Sequence, residues 1–383
     1  MYLYEYKEIT SNFLTEHIKN NKPLHKYFKQ DWGKLKAKQY CGIINDGKDD
    51  YYILPKISND DNDNLNIFIY MLIYSYDIKV HNEDLSNSLN LKSNNILEVF
   101  IQMFAKNLFL QFQKGIYKKY ITEQDNLTTL RGKYLINENL KYNFIKNKIY
   151  CEYDEFSEDN KLNQFFLYAI KTLLKYTKNK KLLKQCELVL NEVSYKHFDI
   201  ENIDIHFDRL NQRFKESFEF ALLLLKKLIP SFSKDKIGFA FLFDMNILFE
   251  KFIGKIVKES FDDVELPKKN ESFGYLLLRP DIIVKSKSLI IDCKYKILDD
   301  KKAHRNDIYQ MYVYGNNYEN IDKNNYTTML LYPKHLPLKE QDGNIVLGVN
   351  NKKVKLKIKT IDLNFDGGYK EYIEEIKNRL GSL

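Results

Sequence analysis

The chain has 383 residues, 29% of them charged and 14% aromatic, and its 60 Lys and Arg against 52 Asp and Glu give a net charge of +8 at pH 7. That length accommodates two or three domains with real cores. Four widely separated cysteines without a C-x-x-C pair argue against zinc and against a disulfide framework, and no secretory or membrane-length apolar run occurs, so a bacterial or archaeal cytoplasm is expected. In chain order, residues 1 to about 150 open with short mixed elements and a lysine-rich stretch at Lys34, Lys36 and Lys38. Asp46-Gly47, between Cys41–Ile44 and Tyr51–Leu54, predicts a hairpin. The Asp-rich stretch Ser58 to Asn64 reads as a solvated linker, because it lacks the Gly and terminal Glu of a calcium loop. Helices are expected near Leu65 to Ile78 and Asn95 to Tyr120, and the apolar run LNIFIYMLIYSY is too short to span a bilayer. A helical middle part, residues 151 to 235, starts at Ser157 followed by Glu158 and Asp159, runs through Leu190, resumes from Asn211 to Leu228, and ends at Pro230 and the polar SFSKDK.

The last part, residues 236 to 383, carries the chemistry. DMNILFEKFIGKIV places Met245, Leu248, Phe249, Phe252, Ile253, Ile256 and Val257 on one helical stripe, with Glu250 beside it. LRPDIIV and LIIDCKYK, joined by the polar Lys285 to Ser288, predict an antiparallel hairpin in which Pro280 marks an edge or a bend. HRNDIYQMYVYG is a helix with Gln310 and Tyr314 on one face. Tyr326 to Tyr332 is a strand stopped by Pro333, VKLKIKTI alternates apolar residues with lysines that guard an edge or meet phosphates, and a helix from about Tyr369 to Leu380 closes the fold.

An unpaired charge inside an apolar strand is expensive, so Asp281, Asp292 and Lys294 require an explanation. The hairpin brings the two carboxylates close, and alternation puts Lys294 on the face of Asp292 and Cys293 on the other. Converging carboxylates suit a hard cation such as Mg²⁺, with Mn²⁺ as a substitute, and the Cys293 carbonyl is a further candidate ligand. Such a centre hydrolyses phosphodiesters, with Lys294 orienting water or stabilising the developing charge. The plainer reading is a solvated Asp292–Lys294 pair on an edge hairpin; Glu250 could equally be a solvated helix flank and Tyr314 core packing.

The order helix, hairpin, helix with Q-x-x-x-Y resembles the RecB-like variant of the PD-(D/E)xK nuclease core. The series FLFDMNILFEKFIG, LRPDI, IIDCKYK and DIYQMYVYG is similar to McrC, the nuclease subunit of McrBC modification-dependent restriction systems, and weaker likeness extends upstream to about Tyr51. The resemblance implies an α+β multidomain chain: a partner-docking part (1–150), a helical middle (151–235) and a restriction-endonuclease-like core (236–383). It implies metal-site residues at Asp281, Asp292 and Lys294, and support from Glu250, Gln310 and Tyr314. It also implies a partner, a hexameric McrB-like AAA+ GTPase that reads modified cytosine in double-stranded DNA; no G-x-x-x-x-G-K-[ST] loop occurs here, so nucleotide hydrolysis belongs elsewhere. Arg131 is one candidate for contact with that nucleotide, beside a plain backbone hydrogen bond, and His304 is read as a helix-start residue. Two alternatives stay open: a partner-independent RecB-like nuclease, and a non-catalytic activator of an AAA+ ring.

Overall fold

The computed structural model describes all residues except 80–94, 146, 234–235, 274, 297–302, 323–325, 335–342, 349–352, 366 and 382–383. The chain divides into two compact units, one of residues 1–96 with 227–383 and one of residues 97–226. This division differs from the three consecutive blocks read from sequence, because strands far apart in the chain pair within the first unit.

That unit begins with β1 (Tyr2–Tyr4), α1 (Asn12–Asn20), β2 (Phe28–Asp31), β3 (Lys34–Ala37), β4 (Tyr40–Asn45), β5 (Asp50–Leu54) and α2 (Asp61–Ser75). The Asp46-Gly47 hairpin forms as expected, with β4 and β5 antiparallel and Gly47 at φ 90°. The Asp-rich stretch is a helix start rather than a linker: Asp60 caps α2 by accepting from the Asn62 and Asp63 amides, and Asn64 accepts from those of Ile57 and Ser58. The second unit holds α3 (Ile96–Gln113), β6 (Lys119–Leu127), β7 (Lys133–Tyr134), α4 (Ile136–Tyr142), β8 (Ile149–Ser157), α5 (Lys161–Leu173), α6 (Lys181–Val189) and α7 (Lys215–Lys227). Asn160, not Ser157, caps α5, because β8 continues through Ser157.

The first unit resumes with β9 (Leu228–Ser233), β10 (Lys236–Asp244), α8 (Met245–Ser260), β11 (Val264–Glu265), β12 (Glu271–Phe273), β13 (Leu276–Leu278), β14 (Ile282–Val284), β15 (Leu289–Cys293), α9 (Arg305–Asp322), β16 (Thr327–Pro333), β17 (Gly343–Leu347), β18 (Val354–Ile361) and α10 (Tyr369–Gly381). Pro230, expected at a boundary, sits inside β9, where the missing amide is tolerated because β9 is an edge strand. One sheet runs β1-β5-β4-β10-β9, with β10 antiparallel to β4 from Phe239 opposite Asn45 to Asp244 opposite Tyr40. The other runs β11-β14-β15-β16-β18-β17. In it β15, β16 and β18 are parallel, and α9 makes the crossover between the first two.

Its central strands β14, β15 and β16, rich in Leu and Ile, are buried on both faces. Ile283, Ile290, Leu330 and Leu356 cluster with Met311, Tyr314 and Tyr318 of α9. Ile282 approaches Gly254 of α8 instead. The α8 stripe is buried as expected, at about 1.5–3 kcal/mol for each large apolar side chain, and α2 and α10 pack beside it: Tyr74 meets Phe252 edge-on, and Phe252 stacks on Tyr372. The lysines of β18 do not guard an edge, since β17 covers that strand. No helix among the described residues is long and apolar enough to cross a membrane.

Candidate active site

The run LRPDIIV is two strands, not one. Arg279, Pro280 and Asp281 form a break between β13, which pairs with β12, and β14, which enters the large sheet. Proline thus marks a bend, and the bend turns Asp281 toward the end of β15. The Cys293 amide donates to Asp281 Oδ2 at 2.7 Å, fixing one carboxylate against the strand that carries the other.

Asp292 is 1% exposed in a strand flanked on both sides, which removes the reading of a solvated edge pair. Its Oδ2 lies 2.5 Å from Lys294 Nζ but receives no hydrogen bond of ordinary geometry. Glu250, on the α8 face beside the buried stripe, reaches the same place and meets Arg279 at 3.6 Å. From α9, Gln310 donates to the Tyr314 hydroxyl at 2.6 Å, and that hydroxyl donates to the Arg279 carbonyl at 2.9 Å. Tyr314 is therefore core packing and site support at once: its ring is buried among core residues while its oxygen holds the bend. All these groups, with Cys293, line one open cavity of about 510 Å³.

The electrostatics are those of crowded, dehydrated carboxylates. Burial, then the charges of Asp292 and Glu250, push Asp281 up to about 8 against the pull of the Cys293 amide and Lys294. Burial raises Asp292 too, opposed by Lys294. Burial draws Lys294 down, but Asp292 and Asp281 outweigh it and hold the ammonium charged. Among the described residues no three His, Cys, Asp or Glu side chains form a complete ligand set by themselves; a hard ion that keeps several waters needs only one or two carboxylates.

Sequence reasoning missed four polar lining residues, Asn246, Asn270, Arg279 and Lys296, and the apolar Leu277. Lys296 is held by Asp307, at 2.8 and 3.0 Å, and Asp307 also accepts from the buried Tyr332 hydroxyl at 3.1 Å. The K-x-K spacing after Asp292 was a signal for Lys296; nothing local signalled Asn270. His304 does not line the cavity, and its carbonyl accepts from the Ile308 amide at the start of α9, as expected of a helix-start residue. Arg131, in the other unit, lies 3.6 Å from Glu155 and stacks over Tyr153.

A family model described as McrBC 5-methylcytosine restriction system component matches residues 35–333. The chain belongs to this McrBC family. The matched span contains every residue lining the cavity of this McrBC chain. Similar folds occur in two solved assemblies from Thermococcus gammatolerans. A chain of the refined half-complex from the tetradecameric assembly of McrB AAA+ hexamers with bound McrC has a TM-score of 0.70 at 23% identity, over 100% of this chain and 99% of that one. A chain of the cryo-EM McrBC complex has a TM-score of 0.52 at 27% identity, over 67% of this chain and 86% of that one. No curated protein matches.

Proposed function

We propose that this chain is the DNA-cleaving subunit of a McrBC-type restriction assembly, with a PD-(D/E)xK core in residues 236–383 and a dependence on Mg²⁺ or Mn²⁺. One observation carries the reading: the bend at Pro280, the end of β15, α8 and α9 bring Asp281, Asp292, Glu250 and Lys294 into one cavity of a McrBC-family chain. The residues fit a divalent cation. Burial raises the proton affinity of both carboxylates, the charge of Asp292 raises that of Asp281 further, and Asp292 Oδ2 has the Lys294 ammonium beside it but no well-directed donor, a deficit a cation relieves.

Asp281 and Asp292 would hold the ion, with Glu250 and the Cys293 carbonyl within the same cavity. Bound there, such an ion supplies Lewis acidity toward a phosphate oxygen and lowers the pKa of water. Lys294, kept charged by Asp292, offers its ammonium to the attacking water or to the charge growing on the phosphorus oxygens. The amide of Cys293 orients Asp281, and Gln310 with Tyr314 keeps the bend that presents it. Arg279 and Lys296 flank the cavity with positive charge suited to the adjoining backbone phosphates.

The partner is a McrB-like AAA+ GTPase hexamer on DNA carrying modified cytosine, as McrC is bound to McrB hexamers in the similar assembly. Support for a docking surface comes from the sheet β6-β8-β7 with α4, where Tyr120, Leu130, Ile136, Leu140, Phe144 and Ile145 are exposed. Exposed apolar side chains at that density mark a binding surface. Reconstitution with the ring protein, GTP and methylated DNA tests the whole: Asp292→Ala should abolish cleavage and leave GTPase stimulation intact. Cleavage surviving in that variant refutes the catalytic assignment, and cleavage of plain DNA by the chain alone refutes the dependence on a partner.

A further inference from the structure

The hairpin β2–β3 ends in the only tryptophan of the chain, and Trp32 is 98% exposed. Trp32 and Gly33 have φ of 47° and 79°. Positive φ at both central residues is the type I′ pattern, which favours Asn-Gly and disfavours a bulky first residue. An aromatic ring that buries nothing, held in a conformation its own backbone resists, is explained by something outside the chain.

The surroundings of the ring indicate what. Residues 26–38 contain five lysines, Lys26, Lys29, Lys34, Lys36 and Lys38, against the single Asp31. Lys36 pairs with Asp31 at 2.7 Å and Lys34 with Glu8 at 2.9 Å, so the two carboxylates present still leave an excess of positive charge on the hairpin. The base of the hairpin is not loose: Tyr27, Phe28 and Ala37 are buried with Leu3, Ile9 and Leu24. Its exit is tied to the active site. Gln39, directly after Lys38, accepts from the Met245 amide at 2.9 Å and donates to Asp244 Oδ2 at 3.4 Å. Asp244 caps α8, and Asn246 and Glu250 of that helix line the cavity. The four residues of β2 carry the ring about 13 Å beyond its root, less than one turn of a DNA duplex.

We propose that this hairpin is a DNA-binding arm: its lysines lie along backbone phosphates, and the Trp32 ring stacks on a base left exposed in a single-stranded or frayed stretch beside the cleavage site. The assignment rests on the nuclease reading above and deepens it by naming how the substrate is held.

Because Trp32 is the sole tryptophan, its emission reports on this one ring. The full chain is titrated in EDTA, where cutting plays no part, with a duplex carrying a single-stranded overhang, while emission and DNA anisotropy are read together. The arm predicts saturable quenching that weakens with salt. Trp32→Asn, which keeps a residue the turn favours, should weaken binding about tenfold, and Trp32→Phe should bind close to wild type. Lys29→Glu should lower the salt dependence. DNA binding by anisotropy with unchanged emission, or wild-type affinity in Trp32→Asn, overturns the arm. So does emission that answers only to the AAA+ ring, which would make the hairpin a protein contact. Asp292→Ala separates the two readings: quenching retained with cleavage lost supports both, whereas normal cutting by the wild type with silent emission removes the arm alone.

Discussion

Glu5 offers a quantitative test of how the N-terminal strand is fastened to the segment that follows β15. The side chain is 3% exposed. It accepts from the Tyr295 hydroxyl at 2.5 Å, from the Lys56 amide at 3.4 Å and, at its other oxygen, from the Cys41 thiol at 3.9 Å. Burial pushes its pKa up to about 8 from 4.5, and the hydrogen bonds recover only part of the cost. The folded value is raised, so below about pH 4.5 both states are protonated and nothing is lost. Between about pH 4.5 and 8 the fold keeps a proton the unfolded chain has released, and stability falls by about 1.4 kcal/mol per pH unit. The full difference is about 5 kcal/mol, of which about 3 has been lost by pH 7. Glu5→Gln keeps an acceptor for Tyr295 and Lys56 and has no charge to dehydrate. Thermal midpoints followed by circular dichroism should fall with pH more steeply in the wild type, and by about pH 8 the variant should melt about 5 °C higher. Parallel pH profiles for the two proteins would refute the buried-carboxylate reasoning.

Other consequences are equally direct. Lys294→Met should reduce cleavage by roughly a hundredfold or more, with DNA binding by anisotropy little changed, since the ammonium acts on developing charge. Protons compete with a cation at Asp281, so the rise in thermal midpoint on adding Mg²⁺ should grow as pH increases toward about 8, and EDTA should reverse it; a pH-independent rise counts against Asp281 as a ligand. A Cβ at Gly315 would run into the Val354 side chain, so Gly315→Ala should cost about 1–3 kcal/mol and lift the helix carrying Gln310 and Tyr314. Gly254→Ala, where the nearest atom is Leu266 Cδ2 at 3.3 Å, should be milder in the same denaturation series. Tyr314→Phe removes the hydrogen bond to the Arg279 carbonyl and should cost about 1 kcal/mol, with cleavage falling further than stability as the bend relaxes.

What was legible in the sequence was local. The hairpin of β14 and β15 follows from β-formers around a polar turn, and Glu250, Gln310 and Tyr314 follow from helical spacing, so most polar residues of the candidate site could be named from residues within one or two elements of each other. The exact bend was half visible, since proline marks a break without saying which sheet each half joins. Contacts across the chain were not visible. Nothing near Glu5 announces Tyr295, and the pairing of β4 with β10 depends on which edges remain open after folding. The capping errors have the same origin: Ser157 is a good cap by type, but strand β8 had a partner in β6 and kept that residue extended. Trp32 was passed over because a single aromatic between lysines has no periodicity to reveal exposure.

The pairing of β4 with β10 also bears on synthesis. Until β10 is made, the exposed edge of β4 waits while the whole of residues 97–226 emerges, at ribosomal rates on the order of ten seconds or more. A bare strand edge is a template for wrong pairing, and the intervening unit can fold on its own contacts in that interval. Asp244, the last residue of β10, caps the helix that bears Glu250, so closing the sheet also fixes the start of that helix. A nascent chain therefore does not hold Glu250 in the cavity while its sheet is still open.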